Sequence, residues 1–203
     1  MEKKNLLAVL ALMLALLILV FAAKYAGQGE EDPNLTITAL SVGKADALVL
    51  KQAGHTVLID TGEKDDGDKI VRFLKNRGIH SVDLLVITHF DKDHVGGAAK
   101  VLEHMEVNAV FMPDYEGTRP EYDSFMEALA GRDGVQRLTG TTEQTIGEMK
   151  IRVQAAEQAD TFADENDLSL VTGVTFGHRK FLFTGDITEG RISELLASDE
   201  DLR

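Results

Sequence analysis

The segment Val82–Thr88 (VDLLVIT) constrains the fold more than any other part of the chain, because it reads as a strand buried on both faces. Such a strand must lie inside a sheet that is covered on each side, which points to a layered α/β protein. It runs straight into His89-Phe90-Asp91-Lys92-Asp93-His94, followed by Gly96 and Gly97. Four potential metal ligands thus leave the carboxyl end of one buried strand, where open α/β sheets tend to place their ligands. In an extended loop, side chains two apart point the same way, so His89 and Asp91 can share one ion. Asp93 and His94, at the turn into a helix, can diverge toward a second. The two glycines let that helix start close to the site. An Asp-rich helix cap with solvated histidines is the plainer alternative.

The flanking sequence supplies the layers. Leu35–Val42, Ala47–Lys51 and His55–Asp60 read as strands, with Ala53-Gly54 as a hairpin turn. Asp66–Arg77 has helical spacing at Ile70, Val71, Phe73 and Leu74, and Gly78 closes it. Val95–His104 and Glu121–Ala130 read as helices, and Ala109–Met112 as a strand. Strands return at Lys150–Ala155, Leu168–Phe176 and Lys180–Thr184, and Glu189–Ser198 is expected to be helical. Strands, then β-α-β units, then strands suit a sandwich better than a doubly wound sheet.

The amino terminus carries a different signal. Leu6 to Ala23 contains no polar side chain, and Lys3 and Lys4 precede it. A bilayer core needs roughly 20 apolar residues in a helix. The expectation is a membrane anchor over residues 1–27 (or an uncleaved signal), a linker over 28–34, and one domain over 35–203. The membrane is then a partner, and the protein a single-pass one at the cell membrane with its domain extracytoplasmic. Cleavage near Val20-Phe21-Ala22 would release it instead. Cysteine is absent, which excludes disulfides and thiolate ligands. The net charge of −13 gives no general attraction for polyanions.

THFDKDHVGG resembles the metallo-β-lactamase superfamily signature His-x-His-x-Asp-His, with Asp91 at the second His. This variant resembles the hydrolase domain of ComEC-type competence proteins. Ser41–Ala47, Val57–Gly62 and Phe181–Asp186 are similar to three further segments of that group. The resemblance implies an αββα sandwich and two divalent metal ions, zinc favoured, with manganese or iron as alternatives. His89 and Asp91 would bind the first ion, Asp93 and His94 the second, and Asp186 would bridge them. Asp93 is the candidate catalytic residue. Asp60 would support the loop through hydrogen bonds or be an ordinary turn aspartate, and Asp46 has a similar, weaker standing.

Two departures bear on function. No His follows Asp186, where the family has a final ligand, so the domain is expected to be truncated at its carboxyl end. The third ligand of the first ion is open among Asp164, Asn166 and Asp167, against an Asx turn that opens a strand. The expected activity is hydrolysis of a phosphodiester-type substrate, either a small phosphoester or nucleic acid, through a metal-bridging hydroxide. The alternatives are a catalytically incomplete metal-binding module, and a β-lactam or thioester hydrolase.

Overall fold

Leu84, Leu85, Val86 and Ile87 are fully buried, and a strand with no solvated face needs neighbours on both edges and layers on both sides. The computed structural model, which describes residues 12–19, 32–157, 162 and 164–197, provides both. Eight strands precede the second sheet: β1 (Thr36–Ala39), β2 (Leu48–Gln52), β3 (His55–Ile59), β4 (Ser81–Val82), β5 (Leu84–Val86), β6 (Glu106–Val107), β7 (Val110–Pro113) and β8 (Val135–Leu138). Six of them form one sheet in the order β1-β2-β3-β5-β7-β8. Its first two pairings are antiparallel and its last three parallel. The expected strand Val82–Thr88 is interrupted at Asp83. There the backbone N–H donates to Thr56 O at 2.8 Å, and the carboxylate accepts from Thr56 N at 2.8 Å. β4 consequently leaves the main sheet and pairs with β6 alone.

Helices α1 (Gly67–Asn76), α2 (Lys92–Val95), α3 (Ala98–His104) and α4 (Pro120–Leu129) follow the first half of the sheet. Ile70, Leu74, Val101, Leu102, Phe125 and Leu129 pack with Leu58, Leu85, Val110 and Met112 into one apolar layer. Burying each such side chain contributes roughly 1.5–3 kcal/mol.

β9 (Thr141–Ile146), β10 (Met149–Gln154), β11 (Val171–Phe176) and β12 (Arg179–Phe183) form a second, antiparallel sheet in the order β12-β11-β10-β9. Its Met149, Ile151, Val153 and Val174 meet Leu50, Val57, Ile59 and Phe111 of the first sheet in a second apolar layer. Helix α5 (Glu189–Ala197) docks on the end of β10 through the fully buried Arg191, which donates to Ala155 O at 2.8 Å and pairs with Glu194. Helices, first sheet and second sheet thus stack in the order the expected sandwich requires, and among the described residues α5 is the helix placed beside the second sheet.

The membrane expectation is corrected. Among the described residues no helix is long and apolar enough to cross a membrane. Of the apolar run, positions 12–19 are described and helical. The other residues of the run, and positions 28–31 of the expected linker, lie outside the described residues. A single-pass location at the cell membrane, with the membrane as partner, is therefore not supported.

Candidate metal centre

β3 ends at Asp60, which adopts a left-handed φ of 57°. Aspartate is among the few non-glycine residues that tolerate this conformation. The bend turns the buried Asp60 carboxylate across the end of β5, where it accepts three hydrogen bonds. Thr88 N donates to Oδ1 at 2.8 Å, and the Thr88 hydroxyl to Oδ2 at 2.7 Å. His94 Nδ1 donates to Oδ2 at 2.9 Å. Thr61 fastens the same region, donating from both its backbone N–H (2.7 Å) and its hydroxyl (2.8 Å) to His94 O.

These bonds fix both imidazoles. The Thr88 hydroxyl has one hydrogen, which goes to Asp60, so at 3.0 Å from His89 it accepts from Nδ1–H. His89 therefore carries its free lone pair on Nε2. That atom is buried and has no hydrogen-bond partner among the described residues. His94, with Nδ1–H on Asp60, likewise turns Nε2 outward, 3.4 Å from Asp186 Oδ1. The two rings lie 4.0 Å apart, and ligand atoms of His89, His94 and Asp186 all fall within 4.8 Å of one another. Imidazoles oriented by a hydroxyl or carboxylate on the far nitrogen, facing a third carboxylate, match how proteins hold zinc and similar divalent ions. The orphaned Nε2 of His89 is the observation that fits a cation best, because an unsatisfied buried polar atom otherwise costs about 1–3 kcal/mol.

The electrostatics agree. Burial, then the neighbouring charge of His94, hold His89 below its ordinary pKa, so its lone pair is available at neutral pH. For His94 burial works against the charge, but the hydrogen bond and charge of Asp60, with Asp186 and Asp46, outweigh it and lift the group to about 9. Burial raises the Asp46 carboxyl; His94 pulls it down, and Asp60 and Asp186 push it up further.

The remaining sequence candidates are placed differently. Asp91 occupies the N-cap position of the short helix α2 without a side-chain capping bond and accepts from Arg119 Nε at 3.1 Å. Asp93, the candidate catalytic residue, has Oδ2 3.7 Å from Lys44 Nζ. The structure thus gathers His89, His94 and Asp186 and gives Asp91 and Asp93 cationic partners. Asp164 accepts from Asn166 N at 3.0 Å, the Asx-turn geometry. Asp167 receives Thr188 N at 2.6 Å and Thr188 Oγ1 at 2.8 Å, tying this turn to the start of α5. Sequence reasoning missed Thr88 and Arg119. A hydroxyl immediately before a metal-type histidine was the available signal for Thr88, whereas no local pattern links Arg119 to Asp91.

The support given by Asp60 is testable. Asp60→Asn keeps the shape but leaves only one oxygen to accept three donors. It is expected to weaken zinc binding about 10–100-fold and to cost roughly 2 kcal/mol of stability. Zinc titration and urea unfolding measure both, and wild-type zinc affinity in the variant would count against the assigned role.

Comparison with known proteins supports this reading of the fold. The Metallo-beta-lactamase superfamily matches residues 40–201. The chain is 28% identical over 181 residues to ComE operon protein 3 of Bacillus subtilis (strain 168), covering 79% of this chain and 23% of that protein. It is 27% identical over 159 residues to Recombination protein 2 of Haemophilus influenzae, covering 76% of this chain and 18% of that protein. The chain therefore spans less than a quarter of the length of these relatives. Among solved structures, a metallo-β-lactamase of Cronobacter sakazakii with a HARLDQ motif superposes with a TM-score of 0.54 at 15% identity, over 78% of this chain and 62% of that one. With a family match spanning nearly the whole described body, the chain belongs to the metallo-β-lactamase superfamily and has ComEC-like relatives.

Proposed function

We propose that the chain is a metal-dependent hydrolase of phosphodiester-type substrates, with His89, His94 and Asp186 holding the cation. The observation that carries this reading is the buried, unpartnered His89 Nε2 beside His94 and Asp186. When bound, a divalent cation such as zinc supplies Lewis acidity and lowers the pKa of a coordinated water. The chain's own residues do the rest. Thr88 and Asp60 hold the imidazoles in their ligating tautomers, and Thr61 clamps the backbone that carries His94.

Lys44, Lys92 and Arg119 lie on or beside the same loop, paired with Asp93, Glu63 and Asp91. They offer local positive charge to phosphate oxygens on a body whose overall charge of −13 does not attract polyanions. The likeness to Recombination protein 2, a protein named for recombination, favours a diester over a β-lactam. The pairing of Asp91 and Asp93 with cations favours a second reading, a metal-binding module that does not turn over.

The test supplies the full chain with Zn²⁺ or Mn²⁺ and offers bis(p-nitrophenyl) phosphate and nitrocefin in parallel. Chelator-sensitive cleavage of the diester alone is expected. Nitrocefin cleavage without diester cleavage would overturn the substrate class, and stoichiometric metal with no turnover of either would establish the second reading.

A further inference from the structure

We propose that Asp46 is a direct ligand at this centre, a carboxylate that faces the cation, where the sequence had offered it only a weak supporting role. This rests on the metal reading above and extends it to a residue outside the His89–His94 loop.

Asp46 lies in the connection between β1 and β2, and its backbone is fixed from two sides. Its N–H donates to Asp93 O at 3.1 Å, and its carbonyl accepts from Gly62 N at 2.8 Å. The flanking Ala45 and Ala47 are buried, which holds the backbone on either side of Asp46 in place. One Asp46 oxygen, one Asp60 oxygen and one His94 nitrogen lie within 4.8 Å of one another.

The carboxylates around His94 differ in what already occupies them. Asp60 spends both oxygens on Thr88 and His94. Asp91 Oδ1 accepts from Arg119 Nε at 3.1 Å, and Asp93 Oδ2 lies 3.7 Å from Lys44 Nζ. Asp46 has neither a hydrogen bond nor an ion pair to its carboxylate among the described residues. It stands beside a second acid, Asp60, an arrangement that like-charge repulsion disfavours and a divalent cation relieves. The unpartnered Nε2 of His89, in a side chain only 1% exposed, is the independent sign that a ligand belongs here.

The experiment compares the full-length wild type with Asp46→Asn and Asp46→Glu. Co²⁺ affinity, the Co²⁺ visible absorption spectrum and the melting temperature of the ion-free protein are measured for each. The expected result is Co²⁺ affinity at least about tenfold lower in Asp46→Asn, an altered spectrum in Asp46→Glu, and ion-free melting temperatures close to wild type. Wild-type affinity in Asp46→Asn with an unchanged spectrum in Asp46→Glu overturns the proposal, as does an affinity loss fully matched by a fall in ion-free stability. No Co²⁺ binding by the wild type overturns the underlying metal reading and this assignment together.

Discussion

His94→Ala should remove metal-dependent activity by on the order of a thousandfold, equivalent to about 4 kcal/mol of transition-state stabilisation, and destabilise the fold as well. The two losses have separate origins. Nε2 is one of three converging ligand atoms, so the cation loses its grip. Nδ1 is the partner of the Asp60 carboxylate, which is 1% exposed, and a buried charge stripped of its partner costs about 3–5 kcal/mol. His89→Ala separates these effects. Its Nδ1 meets only the Thr88 hydroxyl, so it should lose metal to a similar degree with a much smaller fall in stability.

A pH series on the wild type supplies the sign. In the ion-free protein His94 stays protonated up to about pH 9, and a cation must displace the proton on Nε2. Apparent zinc affinity should therefore climb as pH rises toward 9 and then level off. Calorimetry across pH, with urea unfolding of both variants, checks the set. Equal stability losses in the two alanine variants, or zinc affinity that ignores pH, would contradict the assignment of His94.

Gly97→Ala should cost about 3 kcal/mol of stability, a fall in melting temperature of roughly 6–12 °C. A methyl group there would sit 2.3 Å from Thr61 O and 2.9 Å from Gly67 Cα, both backbone atoms that cannot swing aside. The close approach lets α3 start against the Asp60–Gly62 turn, and Gly97 N donates to Gly62 O at 3.3 Å. Gly140→Ala is the control, because nothing lies within 4 Å of its added methyl, and its effect should stay within about 0.5 kcal/mol. Thermal and urea unfolding decide the matter, and equal stabilities for the two variants would show that the crowding at Gly97 is absorbed elsewhere.

The parts of this architecture that bury apolar surface could be read from the sequence, and the parts held by backbone pairing could not. β2, β3, β5 and helix α1 announce themselves through apolar spacing. β8 (VQRL) and β9 (TTEQTI) are largely polar and half exposed, so their place in the sheets shows only in the register with β7 and β10. The helix expected over Val95–His104 starts only at Ala98, as α3, while Val95 ends the preceding turn α2, with Gly96 and Gly97 between them.

At the centre, His89 and His94 were legible because imidazoles clustered after a buried strand have few other uses. Asp91 and Asp93 were read as ligands on local spacing, and each also lies beside a cation that such spacing does not show. Arg119 and Lys44 are 28 and 49 positions away from their partners, beyond any local pattern. Asp60 left two options open in the sequence, and its three hydrogen bonds resolve them in favour of support.

His89 and His94 leave the first sheet, while Asp186 follows the last strand of the second. The donor triad therefore straddles a seam packed with side chains such as Leu50, Val57, Met149 and Ile151 and bridged by Leu170 N, which donates to Thr88 O at 2.9 Å. Its spacing can be no more constant than the lateral alignment of the two slabs. Trimming a methylene from that greasy joint, far from any ligand, would let one slab creep across the other and detune the chemistry while every donor stayed in place.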